Sequence, residues 1–289
     1  MTTNNSYYVP HKATWPIVGS LGLFLLLGGF ANFLNESSIG PDMMVVGVIV
    51  MVVMLCGWFG TVAKESESGT FNEQVGISFR MGMFWFILSE VMFFAAFFGA
   101  LFYTRNLSVP WLGGEGFGPG KWTQEFLWPN FQAIWPTNGP GQLGGEYEPM
   151  AAWWIPTINT LILLTSGGTV TLSHWGLLKN NRQQFLRWLL ITVGLGFLFV
   201  CMQAYEYHHA YTEMGLTLGS GVYGSTFFML TGFHGLHVTI GAIILSVVFI
   251  RGLRGHFSPS NHFAFEAASW YWHFVDVVWL GLYIFVYIL

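Results

Sequence analysis

Four acidic side chains stand out because they lie deep inside long apolar stretches of this chain. They are Glu90, Glu206, Glu266 and Asp276. Insertion scales put an acid at the centre of a membrane helix at about 2.5–3.5 kcal/mol, so such residues usually face protein or water. Acids in these positions serve proton transfer, ion binding or hydrogen bonds between helices.

Glu90 is the most isolated of the four. It lies midway along FRMGMFWFILSEVMFFAAFFGALFY, where its neighbours are mostly Phe and Met. Because burial disfavours a charged carboxylate, we predict that Glu90 is either protonated at neutral pH or paired with a group on another helix. Two roles remain open for it, a structural acid hydrogen-bonded within the bundle and a proton-related group.

A second polar set occurs in HFAFEAASWYWHFVDVVWLGLY (262–283). Glu266 and His273 are seven residues apart, which places them within about 20° of each other on a helix of 3.6 residues per turn. Asp276 follows about 60° further round. All three fit one stripe, which we expect to turn inward so that the side chains satisfy one another or groups on neighbouring helices.

Histidines suggest another possible chemistry. His234 and His237 are three residues apart in GFHGLHVTIG, and Glu206 lies beside His208 and His209 in QAYEYHHAY. Imidazoles that face each other across a bundle can ligate haem or a metal. A His-x-x-His pair alone is more often a pair of buried histidines that hydrogen-bond between helices, and no Cys-x-x-Cys-His is present. We therefore favour a structural role and predict no metal site.

The segments that carry these groups read as membrane helices. The chain of 289 residues is 53% hydrophobic and only 8% charged, whereas soluble domains are about 25% charged. A membrane span needs about 20 mostly apolar residues. This predicts an all-α integral membrane protein with seven transmembrane helices, near residues 15–34, 43–62, 76–104, 151–174, 186–207, 220–250 and 265–289.

Lys and Arg residues predict the orientation, because cytoplasmic loops carry more of them. Seven spans place eight of these residues on one side of the membrane and only Arg105 and Lys121 on the other. We therefore predict a cytoplasmic N-terminus and a C-terminus outside. The eight residues on the predicted cytoplasmic side are Lys12, Lys64, Arg80, Lys179, Arg182, Arg187, Arg251 and Arg254.

Two stretches between the spans organise the chain. The polar KESESGTFNEQ (64–74) predicts a boundary between residues 1–63, which hold the N-terminal tail and helices 1 and 2, and residues 64–289, which hold helices 3–7. The Gly- and Pro-rich loop 105–148 should form an irregular extracytoplasmic cap rather than a partner-docking surface. The first apolar run is interpreted as a retained anchor.

From the residues alone, three classes of protein remain open. The chain is a non-catalytic subunit of a larger membrane complex, a haem-binding electron carrier, or a transporter or proton-conducting protein. Corresponding broken helices in two halves would favour a transporter, and the sequence shows no such symmetry. The net charge of -4 gives no indication of nucleic-acid binding.

Several motifs, in the expected order, resemble subunit III of the haem-copper cytochrome c oxidases of the aa3 type. The resemblance extends from about Trp15 to the C-terminus. It implies that the first two helices splay from a five-helix bundle and leave a cleft that holds phospholipids. The motifs are FRMGMFWFILSEVMFFAAFF (79–98), INTLILLTSG (158–167), QAYEY (203–207), GVYGSTFFMLTGFHGLHVTIG (221–241) and HFAFEAASWYWHFVDVVWL (262–280).

The resemblance also implies a function. The complex would pass electrons from cytochrome c to oxygen and pump protons, with haem a, haem a3 and copper in subunits I and II. Subunit III would bind no redox cofactor, pack on subunit I, and support proton uptake and the stability of the active site. Quinol oxidases have related third subunits, usually with five spans, so seven spans favour cytochrome c oxidase. The long loop and the lack of targeting features favour a bacterial inner membrane.

Site residues follow from the resemblance position by position, and none is expected to be catalytic. Glu90 matches the family's buried carboxylate in the third helix. Lys64-Glu65 stands where the family usually has Arg-Glu, and Lys keeps the charge but loses the bidentate fork. Lipid contacts are expected at Lys64, Glu65, Arg80, Arg251 and Arg254. A structural polar network is expected at Glu206, His234, His237, Glu266, His273 and Asp276.

Overall fold

The computed structural model describes residues 8–9, 13–115 and 119–289. Within these ranges the regular structure is helical, apart from one isolated antiparallel bridge between Ser258 and Asn261. Three π-helical turns extend or join helices, at Thr104–Ser108, Thr123–Leu127 and Tyr283–Ile288. The α-helices, in chain order, are α1 (Trp15–Leu34), α2 (Ile39–Glu67), α3 (Glu73–Tyr103), α4 (Val109–Leu112), α5 (Pro119–Trp122), α6 (Ile155–Leu178), α7 (Arg182–Thr212), α8 (Gly221–Leu253) and α9 (Phe263–Leu282).

Seven of the described helices are long and apolar enough to cross a membrane, which confirms the predicted fold class. Their ends differ from the predicted ones. Helix α2 continues to Glu67 and α7 continues to Thr212, each five residues beyond the apolar stretch. Polar residues such as Lys and Glu are good helix formers. An apolar pattern therefore marks the part of a helix that suits lipid, and the helix itself can continue beyond that part.

The start of α6 shows the opposite difference. The predicted span began at residue 151, whereas the helix begins at Ile155 with Pro156 in its first turn. Proline suits that position because its missing N–H would have no partner within the helix. Trp154, just before it, has φ 80°, which is incompatible with the helix. The chain around residues 151–154 is therefore apolar without being helical.

The chain divides into two compact units, Met1–Met81 (unit 1) and Gly82–Leu289 (unit 2), with the division inside α3. In unit 1, α1 and α2 pack against each other. The buried residues of α1 are all glycines, namely Gly19, Gly22 and Gly29. Most of the remaining surface of both helices is exposed apolar side chains, as expected where lipid or another protein takes the place of water. The boundary predicted at residues 64–74 remains a prediction.

Glycines allow the two helices of unit 1 to approach at backbone distance. A Cβ atom at Gly47 would lie 2.6 Å from the Leu26 backbone nitrogen. A Cβ atom at Gly40 would lie 2.5 Å from the Phe33 backbone nitrogen. Small residues at helix interfaces permit this close packing, which is a main source of helix association in membranes.

In unit 2, the remainder of α3 accompanies α6–α9. Helices α6 and α7 pair through the Thr169 and Thr192 hydroxyls, whose oxygens are 2.8 Å apart. The indole rings of Trp272 and Trp279 fix α9 against α6. Trp272 Nε1 donates to Ser166 Oγ at 2.9 Å. Trp279 Nε1 donates to Thr160 Oγ1, also at 2.9 Å, and both tryptophans are fully buried.

The second half of the 105–148 loop packs on the start of α8. The Tyr147 and Tyr223 rings stack with centroids 5.6 Å apart and an interplanar angle of 14°. The Tyr223 backbone N–H donates to the Thr137 carbonyl, and the Tyr223 hydroxyl accepts from the Met150 N–H. Burial raises the pKa of Tyr147 above its usual value. These contacts hold the loop against the helix ends.

The glycine packing in unit 1 predicts a difference between two substitutions in α2. We expect Gly47→Ala to lower stability by about 1–3 kcal/mol, because the new methyl group collides with the backbone of α1. Gly60→Ala is the matched control, since its Cβ would meet nothing within 4 Å. Alanine is a better helix former than glycine, so the control should be neutral or slightly stabilising. Thermal unfolding of the purified protein in detergent measures both, and equal losses would contradict the proposed contact.

Candidate functional site

Glu90 pairs with a histidine on another helix. Its Oε2 atom lies 2.9 Å from the Nε2 atom of His237, so the contact joins α3 to α8. The Glu90 side chain is 21% exposed and that of His237 is 12% exposed. One of the two states predicted for this acid, pairing across helices, is therefore what the structure contains.

The other ring nitrogen of His237 restricts the number of protons on this pair. His237 Nδ1 lies 2.6 Å from the Phe233 carbonyl oxygen, and a carbonyl only accepts, so Nδ1 carries a proton. Nε2 then has two options with respect to Glu90. Either a protonated Glu90 donates to it, or it carries a second proton and donates to the carboxylate. In both cases one proton lies between Glu90 Oε2 and His237 Nε2, in addition to the proton on Nδ1. The two side chains together then have no net charge.

Aromatic rings surround this pair. The His237 ring lies 5.1 Å from the Phe94 centroid and 5.9 Å from that of Phe93. On the α9 side it lies 6.4 Å from the Tyr271 ring and 6.5 Å from that of Phe274. The Tyr271 hydroxyl donates to the His237 carbonyl at 3.4 Å. An apolar surrounding strengthens the electrostatic interaction between Glu90 and His237.

Glu206 lies in a second polar group at the far end of α7. It is fully buried, and its Oε1 atom accepts from the Tyr287 hydroxyl at 2.9 Å. At the next residue of α7, the Tyr207 hydroxyl oxygen lies 2.6 Å from that of Thr231 on α8. Because Thr231 donates to the Phe227 carbonyl, Tyr207 must be the donor to Thr231.

The polar stripe on α9 lies at the edge of unit 2 and is only partly buried. Asp276 is 8% exposed, whereas His273 is 45% exposed, with 3.7 Å between His273 Nδ1 and Asp276 Oδ2. Glu266 is half-buried in the first turn of α9. The Asp276 carboxylate fits because α6 has Gly167 opposite it, where a Cβ would lie 2.2 Å from Asp276 Oδ2.

The two histidines of the His-x-x-His pair face different partners. His234 Nε2 donates to the Val275 carbonyl at 3.1 Å, on α9, while His237 faces Glu90 on α3. His209, near the end of α7, has Nδ1 at 3.1 Å from Glu213 Oε2. Among the described residues, no group of three or more His, Cys, Asp or Glu side chains is placed to hold a metal ion.

The residues expected to contact lipid lie near helix ends. Lys64 is in the last turn of α2. Next to it, Glu65 Oε1 accepts from the Tyr8 hydroxyl at 2.9 Å, and this hydrogen bond to the carboxylate raises the pKa of Tyr8. Arg80 is the eighth residue of α3.

The two basic residues at the C-terminal end of α8 are held differently. The Arg251 guanidinium carbon lies 5.0 Å from the centre of the Phe257 ring. Exposed Arg254 follows the last residue of α8, and its backbone N–H donates to carbonyls of the final turn. Both side chains therefore lie where an apolar helix meets a polar boundary.

Several residues that organise the interior were missed by sequence reasoning. They include Thr160, Ser166 and Gln203, as well as Tyr287 at the end of the chain. A signal was present in INTLILLTSGGTVTLSHW, where Asn159, Ser166 and Ser173 recur every seven residues. Small polar residues at this spacing on an apolar helix indicate a face that hydrogen-bonds to its neighbours.

These features define a multi-pass membrane protein whose polar groups are turned to each other within a helical interior. The family model for cytochrome c oxidase subunit III matches residues 5–119 and 126–289. The chain belongs to this family. It is a component of an oxidase complex, and the enzymatic activity is that of the complex.

Individual relatives agree with the family match. Cytochrome c oxidase subunit 3 of Dugong dugon is 38% identical over 284 residues, which cover 98% of this chain and 97% of the relative. The human protein of the same name is 38% identical over 285 residues, with the same coverage. That of Equus caballus is also 38% identical over 284 residues. The similarity therefore spans both compact units.

The proton count on the Glu90–His237 pair predicts an infrared signature. In the wild type minus Glu90→Gln difference spectrum at pH 7, we expect either a protonated carboxyl band, or carboxylate bands together with an imidazolium band. Glu146→Gln is the control, because Glu146 is exposed and no contact with an imidazole is recorded for it, so this change should affect no imidazolium band. Carboxylate bands from Glu90 beside a neutral imidazole would contradict the one-proton assignment.

Proposed function

We propose that this chain is the third subunit of a proton-pumping cytochrome c oxidase of the aa3 type. In that role it packs on subunits I and II, which carry haem a, haem a3 and copper, and cytochrome c is the substrate of the complex. The main support is the family match along nearly the whole chain. The exposed apolar faces of the helices offer the surface that such packing needs.

The arrangement of the polar side chains supports a subunit without a redox centre of its own. Haem ligation by a membrane bundle needs imidazole nitrogens that face each other across the bundle. Here His237 uses both ring nitrogens on the Phe233 carbonyl and Glu90. His234 directs one nitrogen to the Val275 carbonyl. The histidines therefore connect helices, and we propose a structural role for them in a subunit that supports proton uptake and the stability of the active site.

For the membrane, we propose a bacterial inner membrane with the N-terminus in the cytoplasm. The positive-inside rule carries this proposal. If the seven spans alternate across the membrane, the residues expected on the cytoplasmic side are Lys64, Arg80, Lys179, Arg182, Arg187, Arg251 and Arg254, while Arg105 and Lys121 are expected on the other side. Lys12, which the sequence places with the larger group, lies outside the described residues.

We further propose that bound phospholipids contact Lys64, Glu65, Arg80, Arg251 and Arg254, and that the first two helices splay from the other five to hold those lipids. The basic members lie near the ends of apolar helices, where lipid phosphates would be met. Each Lys or Arg near an anionic membrane surface contributes about 1 kcal/mol. Glu65, the residue next to Lys64, accepts a hydrogen bond from Tyr8, which would hold this end of α2 in place.

A visible spectrum tests the supporting-subunit proposal. We expect haem and copper bands from the purified complex and no bands from this chain after gentle dissociation. Haem retained by the isolated chain in stoichiometric amount would overturn the proposal, because the histidines would then be ligands and the chain an electron carrier. Oxidation of quinol rather than cytochrome c by the complex would instead make this the third subunit of a quinol oxidase.

Removing two cations at the end of α8 tests the lipid proposal. We expect the Arg251→Ala/Arg254→Ala double variant to retain less anionic phospholipid, with a loss of roughly 2 kcal/mol of binding free energy. Native mass spectrometry of the purified complex counts the bound lipids. Lys179→Ala removes one exposed charge from the end of α6 and is the control. Unchanged lipid content in the double variant would contradict the assignment of these two residues.

A further inference from the structure

Four buried side chains in unit 2 have polar atoms that the protein itself leaves without a hydrogen bond. Asn159, Glu206 and His234 are fully buried, and Gln203 is 6% exposed. The atoms concerned are both polar atoms of the Asn159 and Gln203 amides, Glu206 Oε2 and His234 Nδ1. Leaving one such atom unpaired in a protein interior is costly, and six on these four side chains require an explanation.

Contacts of these side chains, or of residues next to them, converge on the ring of Trp279. The His234 ring centroid lies 5.1 Å from that of Trp279, and the Tyr287 ring centroid lies 5.9 Å from it. Tyr287 in turn donates to Glu206. On α6, Trp279 Nε1 donates to Thr160, the residue next to Asn159.

Gln203 belongs to the same region. It lies on the face of α7 between Phe199, whose ring centroid is 4.8 Å from that of Trp279, and Glu206. Its amide lies beside the Tyr207 and Tyr287 hydroxyls but outside hydrogen-bonding geometry. The unpaired atoms therefore come from α6, α7 and α8 and surround one end of α9.

We propose that Asn159, Gln203, Glu206 and His234 line a binding site for ordered internal water. Buried waters typically make about three hydrogen bonds to polar groups that would otherwise be unsatisfied. The six unpaired atoms correspond to the hydrogen bonds of about two such waters. The region shares no hydrogen bond with the Glu90–His237 pair among those that the structure records.

The chemistry of the unpaired atoms selects water over an ion. His234 Nε2 carries the proton that it donates to Val275, so Nδ1 of the neutral ring is an acceptor. Glu206 Oε2 is an acceptor when ionised, whereas each amide offers two donors and one acceptor. A cation would bind only the oxygen atoms and leave the amide N–H groups unpaired, and an anion would leave the acceptors of His234 and Glu206 unpaired. Water both donates and accepts, so it matches the mixed set.

A density map of the oxidase complex tests this proposal on the wild-type protein. In a map that resolves ordered water elsewhere in the complex, we expect at least one peak about 2.7–3.2 Å from Glu206 Oε2 and within hydrogen-bonding distance of another of the four side chains. A peak at about 2.3–2.6 Å from oxygen atoms alone would indicate a cation and overturn the proposal. Four side chains bonded directly to one another, or no peak, would also overturn it.

Infrared spectroscopy provides an independent measurement. Exchange into H₂¹⁸O shifts the O–H stretching bands of internal water, and we expect a shifted band that Gln203→Met removes or moves. Methionine has a shape close to that of glutamine but lacks its donors. Gln184→Met, near the start of the same helix, is the matched control and should leave the band in place. A band that is identical in wild type and Gln203→Met would contradict the site, and a Gln203→Met chain that does not assemble leaves the wild-type map to decide.

Discussion

Hydrocarbon cannot hydrogen-bond, and this constraint governs where each polar side chain of the chain lies. The polar groups of a membrane-spanning segment must therefore find partners within the protein or in water that the protein encloses. Many hydroxyls do so locally, as when Thr160 donates to the Pro156 carbonyl one turn back. Such hydroxyls still have acceptor capacity, and Thr160 uses it for the indole N–H of Trp279. A hydroxyl satisfied within its own helix thereby also joins two helices.

Hydrogen bonds between the helices go together with two kinds of close contact, backbone against backbone and aromatic ring against backbone. Interhelical hydrogen bonds are short, so the helices that make them must lie close together. Trp272 reaches Ser166 only because α7 and α8 present Gly196 and Gly241 to its ring, where Cβ atoms would lie 2.6 Å and 2.9 Å from ring carbons. Unit 1 has few such polar contacts, and there glycines bring backbone against backbone. In both units glycine therefore sets the helix spacing, but for different purposes.

The spans were predictable because apolar runs of 20 residues are unambiguous, whereas the pairing of polar groups was not. A sequence gives the angular position of a residue on its own helix, but not the level at which two helices face each other. Hence Glu90 could be assigned a partner on another helix, yet nothing singled out His237, which lies 147 positions away. The same limit applies to Asp276, whose neighbour His273 lies on the expected stripe but is 45% exposed.

The Glu90–His237 pair shows how a membrane protein keeps two ionisable groups without a net charge. Because His237 Nδ1 is committed to a carbonyl, the proton between Glu90 and Nε2 can move from one partner to the other without changing the total charge of the pair. A net charge in a low-dielectric medium is costly. Movement of the proton within the pair creates no net charge. The pair therefore joins α3 to α8 within the apolar interior without adding a net charge to it.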